Sequence, residues 1–266
     1  MAEYLLGTSD EELARLRFQQ EVWGDVSECF LDRLGIGAGM RVLDAGCGPG
    51  LMSLALRERV GASGSVLAVD VSARWEETLR TELAEREVDN VEFRRSRLED
   101  LEAEAGSFDL VFSRWVLSFL PDVEGVVARL ARMLKPGGCL AIQDYNHEGL
   151  SLFPKSAGFQ AMIRATREYY DKSGGDTWVA GRLPAAMRAA GLDVVDVTPN
   201  VKCGGPDSPA FRWADTFFPI FSRVYHENGL VTDEELAGYD ADWAARKADP
   251  SSLFFSPIVV DVAGRK

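Results

Sequence analysis

The sequence predicts an α/β fold with a parallel β-sheet, and three features of the chain lead to this prediction. Short apolar runs alternate with helical patterns through the first half, and a glycine-rich segment follows the first apolar run. The pattern also breaks sharply at Lys135-Pro136-Gly137-Gly138. Strands that alternate with helices at this spacing form parallel sheets with right-handed crossovers.

The elements follow from their periodicity, length and terminators. The predicted strands are Arg41–Ala45, Ser65–Asp70, Val91–Arg94, Phe108–Ser113, Cys139–Asp144, 193–201 and Phe254–Val262. The predicted helical segments are 10–34, Leu51–Val60, Arg74–Glu87, Val123–Leu134, 150–190 and 209–247. Because no Pro-, Gly- or Ser-rich linker separates the halves, we expect a single domain over residues 1–266, with a separate cap as the alternative.

The composition excludes several classes of protein. Asp and Glu number 42 against 29 Lys and Arg, and this balance argues against partners such as nucleic acid or an anionic membrane surface. No segment reaches the roughly 20 apolar residues of a membrane helix, and the N-terminus lacks the pattern of a signal peptide. The four cysteines are far apart, so we expect no metal site, no disulfide framework and a cytoplasmic location.

A glycine loop with an acidic partner is the most specific motif of the chain. The segment VLDAGCGPG (residues 42–50) begins in the first strand and ends at the second helix, and Asp70 follows Gly50 by 20 residues. Glycines at this point let the backbone approach a ligand closely, and an acid at the end of the second strand can accept both hydroxyls of a ribose. Loop and acid together predict a nucleoside site.

The spacing of the loop selects among nucleosides. It is GxGxG rather than GxGxxG, and Asp44 precedes the first glycine by two residues, where it repels a phosphate. An acidic loop suits a ligand with a positive end, and S-adenosylmethionine carries a sulfonium, an ammonium and no phosphate.

Four motifs in order carry a resemblance to a known family. VLDAGCGPG, VLAVDVS, FDLVFSRWVLSFLPD and LKPGG together resemble the Rossmann-like (class I) S-adenosylmethionine-dependent methyltransferases of small molecules, over about residues 35–145. The resemblance implies a sheet of seven mostly parallel strands with an antiparallel last strand, helices on both faces and added helices as a lid. It also implies the division into segments: 1–34 would cover the cofactor, 35–145 would bind it, 146–190 and 205–250 would be helical insertions at the acceptor site, and 251–266 would hold the last strand.

The resemblance further implies a set of cofactor-binding residues. Asp44 would lie beneath the methionine ammonium, Asp70 would bind the ribose, Val71 would pack on the adenine, and the carbonyl of Ser113 would face the ammonium. The loop residues Gly46, Cys47, Gly48 and Gly50 would line the methionine and ribose end of S-adenosylmethionine and of its product, S-adenosylhomocysteine.

The chain departs from the family pattern at two places. Arg97 stands where the family often has an acid for the adenine amine, so we expect the backbone of Arg97 and Leu98 to serve adenine, or Arg97 to stack on the purine. Ser118 and Phe119 stand where relatives often carry His, which removes one common candidate base.

The candidate catalytic residues come from three places. Tyr145 and His147 follow the fifth strand, and His147 is either a base or an exposed loop residue. Tyr4 would close over the acceptor or belong to a frayed terminus. Gln20, a polar residue in the apolar stripe of the first helix, would bind the cofactor carboxylate or a backbone group.

Three functions remain open from the sequence. The first is methyl transfer to O, N or C of a small, aromatic or heterocyclic acceptor, favoured by the aromatic residues concentrated over 145–225, with specialised metabolism as a setting. The second is cofactor binding without methyl transfer, as a regulatory module or in a decarboxylase- or cyclase-type reaction. A nicotinamide-dependent oxidoreductase is the third, and the loop spacing and Asp44 oppose it. The protein is expected to be a monomer or a homodimer.

Overall fold

The computed structural model describes residues 8–266. The helices are α1 (Asp10–Arg33), α2 (Leu51–Val60), α3 (Ala73–Glu85), α4 (Val123–Met133), α5 (Ala157–Lys172), α6 (Leu183–Ala189), α7 (Pro209–Asp215), α8 (Phe218–Glu227) and α9 (Asp233–Ala248). The strands are β1 (Arg41–Ala45), β2 (Ser65–Asp70), β3 (Val91–Arg95), β4 (Phe108–Arg114), β5 (Leu134–Asn146), β6 (Ser151–Phe153), β7 (Asp193–Asn200), β8 (Cys203–Gly204), β9 (Leu253–Phe255) and β10 (Ile258–Arg265). Short 3-10 turns lie at Leu117–Phe119, His147–Gly149 and Val179–Gly181.

The main sheet confirms the predicted fold class. Within residues 8–266 it has seven strands in the order β3-β2-β1-β4-β5-β10-β7. The strand β10 runs antiparallel to both of its neighbours, and the pairings among β1 to β5 are parallel. The carboxyl ends of β1, β2, β4 and β5 therefore meet at one edge, which is where open α/β sheets bind ligands.

The last strand differs from its prediction. The segment Phe254–Val262 was expected to be one strand, but the chain divides it: β9 ends at Phe255 and β10 begins at Ile258. Pro257 lies between them and has no N–H for a ladder, and the amide of Ser256 bonds to the carbonyl of Lys202 instead. The segment 251–266, predicted to hold one last strand, therefore contributes one strand to each of two sheets.

A small second sheet was not predicted. Strand β9 pairs antiparallel with β6 and with β8, in the order β6-β9-β8. Strand β6 lies in the segment 150–190, which the pattern had given as helical. Its three residues are too few for their alternation to stand out against the helix that follows.

Both faces of the main sheet are covered, and a third apolar cluster fills the added helices. One cluster packs α4 and α6 on the sheet, and another packs the end of α1 with α2 and α3 on the opposite face. The third cluster joins α1 to α5, α7, α8 and α9 and is strongly aromatic. Its fully buried side chains include Trp23, Phe159, Phe211, Tyr225 and Phe254. Most aromatic residues of the second half are thus core, as the sequence predicts.

Candidate active site

A cavity of about 1220 Å³ opens at the carboxyl ends of β1, β2, β4 and β5. The glycine loop and the end of β2 line one part of it, and we call this part the loop side. Side chains from β4, β5 and the added helices line the other part, which we call the aromatic side. A site for one drug-sized ligand measures roughly 300–1,000 Å³, so this cavity has room for two small molecules.

The glycine loop is shaped by two close approaches. Gly50 precedes α2 with φ +84°, and a Cβ there would lie 2.4 Å from a methyl carbon of Leu79. Gly48 lines the cavity with φ +54°, and a Cβ there would meet no atom within 4 Å. Gly50 is therefore required for packing, whereas Gly48 leaves open space beside the backbone. Gly46 and Cys47 lie in the same lining.

Asp44 brings a buried carboxyl group to the loop side. Its carboxylate accepts a hydrogen bond of 2.6 Å from the Ser53 hydroxyl. Burial raises the pKa of Asp44 to about 6, and Asp70 adds to this shift, while Ser53 and the positive charge of Arg114 oppose it. Because burial disfavours its charge, this carboxylate gains more from a cationic ligand than an exposed one does.

Asp70 is held by two backbone amides. One carboxylate oxygen accepts from the amide of Gly48 and the other from the amide of Ser72, each at 2.9 Å. Burial raises the pKa of Asp70, and these backbone hydrogen bonds act in the opposite direction. Each carboxylate oxygen has a further lone pair, so the two oxygens can accept hydrogen bonds from two hydroxyl groups, as a ribose diol requires.

The three residues predicted at the adenine lie around one part of the cavity. Val71 is 44% exposed, Leu98 is buried, and both line the cavity with Arg97. The guanidinium of Arg97 is an exposed group that donates to Glu99 at 3.0 Å. The structure thus brings these residues together, and the contact of each with adenine stays a prediction.

Two other predicted residues lie behind the cavity wall. Ser113 is fully buried, and its hydroxyl donates to the carbonyl of Ala45 at 2.8 Å. The amide oxygen of Gln20 accepts a hydrogen bond of 2.5 Å from Arg114, and its neighbour Gln19 lies in the cavity lining. Tyr4 lies outside the described residues.

Arg114 was not predicted as a site residue, although its charge interrupts an apolar strand pattern. It lines the cavity where the loop side meets the aromatic side. Its guanidinium lies over the ring of Trp115, 4.7 Å from the ring centroid. Burial lowers the pKa of Arg114 to about 10, and the negative charge of Asp44 partly opposes this shift.

Three rings form a continuous wall on the aromatic side. Trp115 stacks on Tyr145, with centroids 5.7 Å apart and planes at 12°, and Tyr145 meets His147 edge-on at 5.2 Å. Trp115 has a φ of +56°, an uncommon backbone conformation for a bulky residue. Its amide donates to the carbonyl of Gln143, which helps to hold this conformation.

His147 is buried in this wall, so the alternative of an exposed loop histidine is wrong. The amide of His147 donates to the carbonyl of Thr177, and the carbonyl of His147 accepts a hydrogen bond of 3.3 Å from the Arg167 guanidinium. Burial, with a smaller contribution from the charge of Arg167, lowers the pKa of His147 to about 3. The ring is therefore neutral near pH 7, and its Nδ1 atom has no hydrogen-bond partner within residues 8–266.

More apolar rings complete the aromatic side. The cavity lining includes Phe119, Tyr170, Trp213, Phe217 and Phe218. The carboxylate of Asp144, in contrast, supports this side from behind, since it accepts from the amides of Leu117 and Ser118 in the 3-10 turn after β4.

Residues 8–266 lack the features of a membrane-spanning helix and of a metal site. No helix in this range is long and apolar enough to cross a membrane. The same range has no group of three or more His, Cys, Asp or Glu side chains that could hold a metal ion.

Comparison with known proteins gives similarities in sequence and in fold. A family model described as "Methyltransferase domain" matches residues 42–138. The demethylmenaquinone methyltransferase of Lactococcus lactis is 33% identical over 178 residues, which cover 62% of this chain and 71% of the relative. The ubiquinone biosynthesis O-methyltransferase of Xanthomonas axonopodis pv. citri is 35% identical over 166 residues, or 60% of this chain and 66% of the relative. A putative methyltransferase structure from Bacillus halodurans shares the fold, with a TM-score of 0.62, 17% identity and coverage of 90% and 97% of the two chains.

Proposed function

The chain belongs to the class I S-adenosylmethionine-dependent methyltransferases, and we propose that its acceptor is a small, flat aromatic or heterocyclic molecule. The observation that carries this proposal is the wall of Trp115, Tyr145 and His147 in the same cavity as the glycine loop. Flat rings pack well in offset or edge-on contact with such side chains.

The loop side has the chemistry that S-adenosylmethionine requires. Asp44 is a buried carboxyl group for an ammonium, Asp70 is a fixed acceptor for two hydroxyls, and Gly48 leaves open space beside the backbone. When bound, S-adenosylmethionine supplies a methyl group on a positively charged sulfur. We propose that Asp44 and Asp70 hold it, while Val71 and Leu98 contact its adenine.

The residues of the aromatic side orient the acceptor and exclude water. Methyl displacement depends chiefly on alignment of the reacting atoms, so a rigid wall contributes directly to the rate. We propose that the imidazole of His147 forms a hydrogen bond with the acceptor through Nε2, because Nδ1 has no surface that a ligand could reach. With a pKa of about 3, this ring is a weak base in the protein alone, so its role is to position the acceptor.

The relatives support a small organic acceptor. Their names describe a demethylmenaquinone methyltransferase and a ubiquinone biosynthesis O-methyltransferase. Oxygen, nitrogen and carbon acceptors all remain within the proposal.

The test is transfer of a deuterated methyl group to a defined panel of acceptors. The panel contains phenols, catechols and nitrogen heterocycles, each paired with an aliphatic alcohol or amine of similar size, and mass spectrometry detects the labelled product. We expect labelled aromatic products and no labelled aliphatic ones. Labelling of aliphatic acceptors alone overturns the aromatic acceptor, and S-adenosylhomocysteine binding without transfer to any member favours a non-methylating role.

His147→Phe tests the positioning role with a ring of similar size. We expect the KM of the best acceptor to rise by about tenfold, the value of one hydrogen bond in a buried site. The affinity for S-adenosylhomocysteine should stay unchanged. His226→Phe is the matched control, because His226 is exposed and pairs with Asp233 on the helical surface. An unchanged KM in His147→Phe would remove His147 from the proposal.

A further inference from the structure

We propose that Arg114 makes the enzyme select acceptors that bind as anions, such as phenolates and enolates. This inference rests on the proposed function, because it concerns the acceptor in the same cavity. It goes beyond that function by assigning a specificity-determining residue and the charge of the substrate.

Arg114 stands between the two sides of the cavity. It ends β4, where its register partner on β5 is Gln143, and Phe112, two residues earlier, is the register partner of Asp44 on β1. The negative charge of Asp44 acts on its guanidinium from one side, and Tyr145 of the acceptor wall lies near it on the other. Its positive charge is therefore near both Asp44, which is proposed to bind the cofactor, and the acceptor wall.

The guanidinium is fixed by neutral partners. It lies over Trp115 and donates to the amide oxygen of Gln20 and to the hydroxyl of Ser27, at 2.5 and 3.0 Å. An arginine has five N–H donors, and these two bonds leave donors for a ligand. Because Gln20, Ser27 and Trp115 are uncharged, they position the guanidinium without cancelling its charge.

A buried chain of hydrogen bonds supports this position. The hydroxyl of Ser27 donates to Gln143 at 2.6 Å, and the amide of Gln143 donates to Asp261 at 2.6 Å. Arg33 closes the chain with an ion pair to Asp261 at 2.8 Å. Ser27, Gln143 and Asp261 are fully buried, so this chain of hydrogen bonds lies in the protein interior. Ser27 is thus a positioning residue for Arg114.

The local charge of Arg114 favours an anionic acceptor. In the protein alone, the negative charge that acts on the Arg114 guanidinium is that of Asp44. The cofactor's ammonium, placed on Asp44, shares that carboxylate, so Arg114 is compensated less on the side of the acceptor wall. The cofactor's own carboxylate competes with the acceptor for Arg114, and titration of protein saturated with S-adenosylhomocysteine includes this competition. An uncompensated charge in a buried site is costly, and an anionic acceptor removes this cost. An acceptor that ionises in solvent leaves its proton there, so the neutral, weakly basic His147 does not have to accept it.

Binding of 4-nitrophenol and its neutral methyl ether, 4-nitroanisole, tests the inference without turnover. Both are titrated against protein saturated with S-adenosylhomocysteine, across a pH series. Calorimetry measures affinity, and the visible absorbance of the phenolate reports the ionisation of the bound phenol. We expect the phenolate to bind about 10- to 100-fold more tightly than the ether, the range for a hydrogen bond to a charged group. The pKa of the bound phenol should fall in proportion.

Three variants assign the preference to Arg114. Arg114→Met should lose it, and Arg114→Lys should restore part of it because the charge returns without the planar fork. Ser27→Ala should reduce it, since the guanidinium loses one of its two fixing hydrogen bonds. Arg80→Met, at an exposed arginine of α3, is the matched control. If Arg114→Met does not fold, the wild-type titration and Arg114→Lys still decide the question.

The outcomes separate this inference from the proposed function. Equal affinity for the phenol and the ether in the wild type overturns the inference and leaves an aromatic acceptor in place. A phenolate preference that survives in Arg114→Met also overturns it. Binding of neither compound overturns the inference and the aromatic acceptor together.

Discussion

The affinity for S-adenosylhomocysteine is expected to depend on the ionisation of Asp44. This ligand has the same ammonium group as S-adenosylmethionine, so the proposed charge contact is present in a stable, unreactive complex. The perturbations are pH in the range 5–7 and the variant Asp44→Asn, which keeps the size of the side chain and removes its charge.

The size of the effect follows from the pKa of Asp44. Burial raises this pKa from 3.8 to about 6. Above pH 6 the carboxyl is mostly ionised and attracts the ammonium, whereas below pH 6 it is mostly neutral. The affinity should therefore be fully present near pH 7 and be lost as the pH falls through 6. At pH 5, one unit below the pKa, the dissociation constant should be about tenfold higher than at pH 7.

Calorimetric titration at pH 5, 6 and 7 measures this effect, and buffers of different ionisation enthalpy also count the protons released on binding. Asp44→Asn should bind more weakly at pH 7, and its affinity should vary less with pH. Asp144→Asn is the matched control. The pKa of Asp144 is also raised to about 6, but its carboxylate accepts from the backbone of the turn after β4. Wild-type affinity that stays constant from pH 5 to 7, or an unchanged slope in Asp44→Asn, would refute the role of Asp44.

Two further predictions concern stability. Gly50→Ala should lower the free energy of unfolding by about 1–3 kcal/mol, because its Cβ would lie 2.4 Å from Leu79 at a φ of +84°. Urea denaturation measures this, and Gly181→Ala, where a Cβ meets no atom within 4 Å, should change the same quantity by less than about 0.5 kcal/mol. Asp144→Ala should cost about 1–3 kcal/mol for each buried amide left without its acceptor in the 3-10 turn. A melting temperature equal to that of the wild type would show that the turn does not depend on Asp144.

The first half of the fold could be predicted because its strands are buried on both faces. Strands β1 and β2 and helix α2 have their predicted bounds, since continuous apolar runs ended by glycine or polar residues leave little freedom. The second half was predicted less well. The division at Pro257 and the three-residue strand β6 depend on pairing partners distant in the chain, which local periodicity does not contain.

The candidate site shows the same division. The loop and Asp70 follow one another in the sequence at a recognisable spacing, so their meeting could be predicted. The buried position of His147 and the environment of Arg114 could not, because His147 contacts Arg167 of an added helix and Arg114 is held by side chains of α1. In α1, the apolar stripe indicated Gln20 for the cavity, but Gln19 lies in the lining. Its amide oxygen accepts from the Trp213 indole and from Arg15, and this polar cluster has no apolar periodicity.

The most direct test of the central claim is calorimetric titration with S-adenosylhomocysteine of the wild type and of Asp70→Ala, with reduced nicotinamide cofactor as the control ligand. The account predicts that the wild type binds S-adenosylhomocysteine and does not bind the nicotinamide cofactor. It also predicts that Asp70→Ala remains folded and loses this binding, because the ribose hydroxyls lose their acceptor. Undiminished binding by Asp70→Ala would show that the ligand lies elsewhere and would contradict the site described for the glycine loop.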